Sequence, residues 1–269
     1  MNDGPFVLEA RDMERMFGPV VALAGASLQL RRHEVLGLVG DNGAGKSTLL
    51  KILSGVLNAH AGEIFIDGRA VQIRRAQDAM DAGIETVYQD LALVDTMTAY
   101  QNVYLGREEL AKHWFPRMFD MLDDRLMRKR AREVIDSLAV KIPSVNVSAK
   151  GMSGGQRQCL AIGRALLWGR RIVILDEPTA ALGVRESEQV LRVIRELRSH
   201  DISVIVVSHN MQQLMEIADR ITVMRLGRTI ATRAVDEASV STIVGLITGA
   251  IPGDNEKDYE NSGSITVPE

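Results

Sequence analysis

The chain has 269 residues, 46% hydrophobic and 25% charged, with 32 basic against 35 acidic side chains and a net charge of −3. That balance argues against nucleic acid as the principal partner, which calls for a basic surface. The single cysteine, Cys159, excludes an intrachain disulfide, and no stretch approaches the roughly 18 apolar residues of a membrane span.

The opening stretch, MNDGPFVLEARDMER, lacks both an apolar core and a basic start, so it does not read as a secretory signal. The chain is expected to be soluble and cytoplasmic. Residues 5–36 are expected to form short strands joined by turns. EVLGLVG is a buried strand, and DNGAGKSTLLKILSGVL then begins a helix. GEIFIDGRAV alternates about an Asp-Gly turn and reads as a hairpin, and GIETVYQD as another strand. From Thr98 to Lys150 the pattern turns helical, with Leu122, Leu126, Val134 and Leu138 on one face and Met127 and Ile135 beside it. Pro116 and Pro143 divide this region. RLMRKRAR within it reads as a solvated helix face.

Helices and strands alternate from there: helix 153–168, strand 171–176, helix 185–199, strand 202–208 and helix 210–218. RITVMRLGRTIATR is a hairpin about Gly227, and residues 239–249 form a short last helix. The polar tail from Ile251 is expected to be mobile. Such alternation implies a mostly parallel sheet covered by helices. The helical block at about 98–165 interrupts it and is expected to be an inserted subdomain within one domain of residues 1–250.

GDNGAGKST, Gly40–Thr48, matches the phosphate-loop pattern G-x-x-x-x-G-K-[ST] and follows a strand. Gly43 and Gly45 let backbone N–H groups close on a phosphate. Lys46 reaches the β- and γ-phosphates, and Ser47 offers a hydroxyl to Mg²⁺. Asp41, Asn42, Ala44 and Thr48 complete the loop. RIVILDEPTAAL is an apolar strand ending in Asp176, expected to hold Mg²⁺, and Glu177, expected to polarise an attacking water. ISVIVVSHN ends in His209, and GIETVYQD in Gln89. Alone, each reads as an ordinary strand end. If these strands share one sheet, Ser47, Gln89, Asp176, Glu177 and His209 converge on one edge. That is the set needed to hydrolyse a nucleoside triphosphate.

AKGMSGGQRQCLAIGRAL, residues 149–166, is a second glycine-rich entry to a helix suited to an anion. Ser153 with Gln156 three residues on also reads as an ordinary capping box. The two readings are compatible.

The order GDNGAGKST, VYQD, MSGGQRQ, VILDEPTAAL, VVSH resembles the ATP-binding subunit of ABC transporters, over nearly the whole chain to about residue 235. The resemblance implies a P-loop NTPase of the α/β class. Its RecA-like core would carry an antiparallel β-subdomain and an inserted helical subdomain. It implies ATP and Mg²⁺ as cofactors, Ser47, Gln89 and Asp176 at the metal, and Phe17 stacking on adenine; ordinary packing is the alternative for Phe17. Ser153, Gly154, Gly155 and Gln156 would contact the γ-phosphate bound to a second subunit, so two copies would bury two ATP molecules. Two membrane permease subunits would anchor the pair at the cytoplasmic face of the inner membrane. The segment DLALVDTMTAYQNVYLG would contact them, and a periplasmic sugar-binding protein would act indirectly. FGPVVALAGASLQL, NVYLGRE and EPTAALGVRES are similar to monosaccharide importers of the second carbohydrate-uptake class, among them fructose importers. Two positions depart from the family pattern: Met152 where Leu usually precedes Ser153, and Gly183 where Asp often stands. The competing readings are a DNA-repair or translation ATPase of the same superfamily and a regulatory subunit without turnover.

Overall fold

The computed structural model describes residues 6–111, 121–138, 142, 144–168 and 170–254. Pro116, Pro143 and the part of the expected tail beyond residue 254 lie outside the described residues. At the amino end the expected short strands are two long ones, β1 (Phe6–Phe17) and β2 (Val20–Arg31), paired antiparallel. The polar interruptions that read as turns are irregularities in the ladder. Asp12 and Gly25 take positive φ, and the register shifts between Ala10 and Met13. Such bulges bend a strand without ending it. β4 (Ala61–Ile66) and β5 (Arg69–Val71) form the expected hairpin, giving a four-stranded sheet in the order β2-β1-β4-β5.

The second sheet has the order β10-β9-β3-β8-β7-β6. Its strands are β3 (Val35–Gly40), β6 (Ile84–Val87), β7 (Ile172–Asp176), β8 (Ser203–Val207), β9 (Arg220–Arg225) and β10 (Arg228–Ala234). All pairings are parallel except β9 with β10. Both faces are covered, which explains the continuous apolar runs. Val35, Val173, Leu175, Val204 and Val206 face one core, while Leu36, Leu38, Ile172, Ile174 and Ile205 face the other. The period-2 pleat assigns them.

Helix α1 (Lys46–Leu53) packs on the face shared with the antiparallel sheet. A short helix, α2 (Ala76–Asp81), lies in a stretch to which the sequence pattern assigned nothing. On the opposite face lie α3 (Ala99–Tyr104), α4 (Asp124–Ser137), α5 (Gly154–Leu167), α6 (Val184–Leu197), α7 (Met211–Ile217) and α8 (Val240–Thr248), all within one apolar cluster. The buried line of α4 runs Met127, Ala131, Ile135 and then Leu138, displaced from the expected stripe, and Leu122 stands exposed before the helix. Ala131 is the residue that apolar counting undervalues. RLMRKRAR is a solvated face: Arg128, Lys129 and Arg132 pair with Asp124, Glu133 and Asp136. The expected tail is held at its start, because Asp254 pairs with Arg233 at 2.5 Å and its N–H donates to the Ile230 carbonyl at 3.0 Å.

Candidate nucleotide site

β3 runs buried to Gly40 and delivers the glycine-rich loop at its carboxyl end. Inside the loop, the Ala44 N–H donates to the Asp41 carbonyl at 3.1 Å and the Asn42 N–H to Asp41 Oδ1 at 2.7 Å. Gly45 begins α1 with φ of 100°, and a Cβ there would sit 2.6 Å from the Ala22 carbonyl oxygen. Only glycine fits the conformation and the close approach. Gly227, at the β9–β10 turn, donates to the Ala44 carbonyl at 3.1 Å and accepts from the Ala24 N–H at 2.9 Å. That turn therefore ties the loop to β2.

The Lys46 ammonium donates to the carbonyls of Gly40 at 2.8 Å and Asp41 at 3.0 Å. Burial lowers its pKa, and the negative charges of Glu177, Asp41 and Asp176 oppose that shift. Asp176 is raised instead, first by its own burial and then by the adjacent Glu177, with Lys46 and Lys51 acting against both. The Asp176 carboxylate and the Ser47 hydroxyl are hard oxygen donors of the kind that Mg²⁺ takes. That ion is usually held by one or two carboxylates plus phosphate oxygens. Among the described residues no cluster of three or more His, Cys, Asp or Glu could hold a metal.

Strand register brings Asp176, Glu177 and His209 to one edge. Leu38 is level with Val207, and Val207 with Asp176. The Glu177 N–H extends that ladder by donating to the Val207 carbonyl at 2.9 Å. Two residues past Val207 stands His209, whose Nδ1 lies 2.8 Å from Glu177 Oε2. Glu177 has φ of 52°, a conformation that costs free energy in a non-glycine residue and clusters at functional sites. β8 flanks β3 directly, β7 lies one strand further out and β6 at the edge beyond it, so the strands share one sheet without all flanking the loop strand. Gln89 follows the edge strand β6 and is exposed. The Tyr88 hydroxyl donates to Ser54 Oγ at 2.8 Å, fixing this strand end beside α1. Phe17 closes β1 with 46% of its surface exposed, which sets aside core packing. Arg15 covers its ring at 5.0 Å.

Ser153 caps α5: its hydroxyl accepts from the Gln156 N–H, and Gln156 Oε1 accepts from the Ser153 N–H at 3.0 Å, a complete capping box. Met152 is 5% exposed and fills the apolar position before it. The two glycines have a packing role within the chain. A Cβ on Gly154 would lie 2.8 Å from Leu182 Cδ2, and one on Gly155 would lie 2.9 Å from the Cβ of Glu186. Gly183 caps α6 in an extended conformation with open space around it.

Sequence reasoning missed two carboxylates. Glu85, 4% exposed, accepts ion pairs from Arg107 and Arg164 at 3.4 Å and from Arg170 at 3.5 Å. It fastens β6 to the loop after α3, to the last turn of α5 and to the connection that follows that helix. Its signal was present, a charge at an inward position of a buried strand. Glu186 accepts from the Gly155 N–H at 3.4 Å. Nothing in the spacing of α6 marks it, since the contact joins two helices.

Among the described residues no helix is long and apolar enough to cross a membrane. The family model described as ABC transporter matches residues 23–180. The xylose/arabinose import ATP-binding protein XylG of Sulfolobus acidocaldarius is 39% identical over 242 residues, 90% of this chain and 94% of that protein. The fructose import ATP-binding protein FrcA of Rhizobium meliloti is 41% identical over 245 residues, 91% of this chain and 94% of its own length. A nucleotide-free ATP-binding cassette from an ABC transporter superposes with a TM-score of 0.75 at 21% identity, covering 96% of this chain and all of that one.

Proposed function

This chain belongs to the ABC transporter family, and from that premise we propose that it is the ATP-hydrolysing subunit of a monosaccharide importer. XylG and FrcA, relatives of matching length, are import ATP-binding proteins for xylose or arabinose and for fructose. Two copies would work with two membrane permease subunits at the cytoplasmic face, and a periplasmic binding protein would select the sugar. The helices between about residues 98 and 165 would form the inserted subdomain, with the segment after Gln89 meeting the permease.

In the proposed chemistry Lys46 and the loop N–H groups bind the β- and γ-phosphates, and Phe17 stacks on adenine. Ser47, Asp176 and Gln89 would hold Mg²⁺, which when bound neutralises phosphate charge. Glu177 accepts the proton of the attacking water, while His209 orients Glu177 and senses the γ-phosphate.

The observation that carries the shared-site reading is the placement of the two glycine-rich helix starts. α1 packs in the core on one face of the parallel sheet, and α5 packs in the core on the other. A helix start across the sheet from its own phosphate loop supports the reading that it serves a neighbour's nucleotide. Two copies related by a two-fold axis would then bury two ATP molecules. ATP would favour the closed pair and hydrolysis release it. Light scattering of Glu177→Gln with and without MgATP tests this: an ATP-dependent dimer is expected, and a monomer at saturating ATP would contradict it. The presence and contact of Glu177 and His209 support a hydrolysing subunit over a regulatory one without turnover.

A further inference from the structure

The amino ends of α5 and α6 meet at one side chain. Glu186 lies in the first turn of α6, and its Oε1 accepts from the Gly155 N–H at 3.4 Å. The Ser153 hydroxyl bonds to it first, then the N–H groups of Gly155 and Gly183, and together they hold its carboxyl below the usual range. α5 has no acidic residue in its own first turn. The carboxylate of Glu186 is therefore the negative charge set against that helix dipole. Gly155 is a glycine partly because Glu186 packs so close.

We propose that Glu186 is a positioning residue for the shared nucleotide site, a resident anion that holds the amino end of α5 ready and is displaced by the γ-phosphate of the partner's ATP. The inference rests on the shared-site reading above. The groups involved, the Ser153 hydroxyl and the Gly155 N–H, are those that the family resemblance gives to the γ-phosphate. A helix-end N–H needs an acceptor between cycles, and Glu186 supplies it. A carboxylate and a phosphate cannot share those donors without like-charge repulsion, so closure of the dimer competes with an internal ligand. Gly183 belongs to the same contact. The loop after Pro178 and the start of α5 thus meet at one anion.

The test uses the full chain in the Glu177→Gln background, where hydrolysis is slow. Dimer formation is followed by light scattering across a MgATP titration. Glu186→Gln keeps the shape and the acceptor and removes only the charge. It should reach half-maximal dimer at an ATP concentration lower by about threefold, the scale of an exposed charge interaction. Glu186→Ala should shift the midpoint the same way, and Glu186→Asp should return it toward the parent. The gap should narrow in roughly 0.5 M salt, where screening is short-ranged. Binding of a fluorescent ATP analogue to the monomer should not change. An unchanged or raised midpoint in both charge-removing variants overturns the proposal and leaves the shared site standing. A parent that never dimerises with ATP overturns both.

Discussion

His209 Nδ1 lies 2.8 Å from Glu177 Oε2, joining the ends of two adjacent parallel strands. The glutamate is mostly enclosed while the histidine is 75% exposed at its side chain. On the proposed function, the second ring nitrogen of this exposed histidine would meet a phosphate oxygen. His209→Ala should therefore keep ATP binding and lose roughly 10²-fold of turnover, the scale for misplacing a general base. Steady-state hydrolysis with a separate nucleotide-binding assay measures the two. A rate within a few-fold of the parent would remove His209 from the mechanism.

Gly183 stands where the family often has Asp, and open space surrounds it. Its φ of −69° suits any residue, so Gly183→Asp should fold normally. The new carboxylate lies beside the loop that follows Glu177. It should alter the Hill coefficient of hydrolysis more than the affinity for ATP. Equal cooperativity in the two forms would count against a role for this position in communication.

Glu85 is a buried carboxylate holding three guanidinium groups. Glu85→Ala leaves those cations without their partner and should cost about 3 kcal/mol or more, the scale for breaking a buried pair. Urea denaturation reads the loss directly. Because β6 leads into Gln89, hydrolysis should fall as well. A loss under about 1 kcal/mol would mean the cluster is solvated like a surface pair.

Cys159 sits buried in α5, and burial pushes its thiol up from 9.0 to about 12. The thiolate is the reactive form. A maleimide at pH 8 should leave the folded protein unlabelled and label it fully in denaturant, as read by mass spectrometry. Below the ordinary thiol pKa both states are protonated and this group adds no pH dependence. Between that value and about 12 the unfolded chain alone ionises, so stability should fall as pH rises.

The phosphate loop, Asp176, Glu177 and the helix start at Ser153 were legible because each needs particular residue types at fixed spacing along a single strand–turn–helix junction. The alternation after residue 153 was legible because its apolar runs are continuous and its breaks carry Gly or Pro. The amino-terminal strands were not, because Asp12 and Gly25 mark a turn and a bulge with the same residues. The burial of Ala131 and the contacts of Glu85 and Glu186 were hidden for a different reason. They depend on which helix lies against which, and a one-dimensional pattern carries no record of that.

The most direct test of the shared site is ATP hydrolysis by Ser153→Arg, measured alongside its affinity for a fluorescent ATP analogue. On the proposed shared site, a guanidinium at this helix start would meet the partner's nucleotide and not its own. Monomer affinity should stay close to that of the parent, while ATP-driven dimerisation and hydrolysis are lost. Hydrolysis at the parent rate would contradict the account, because the helix start at Ser153 would then have no part in the reaction.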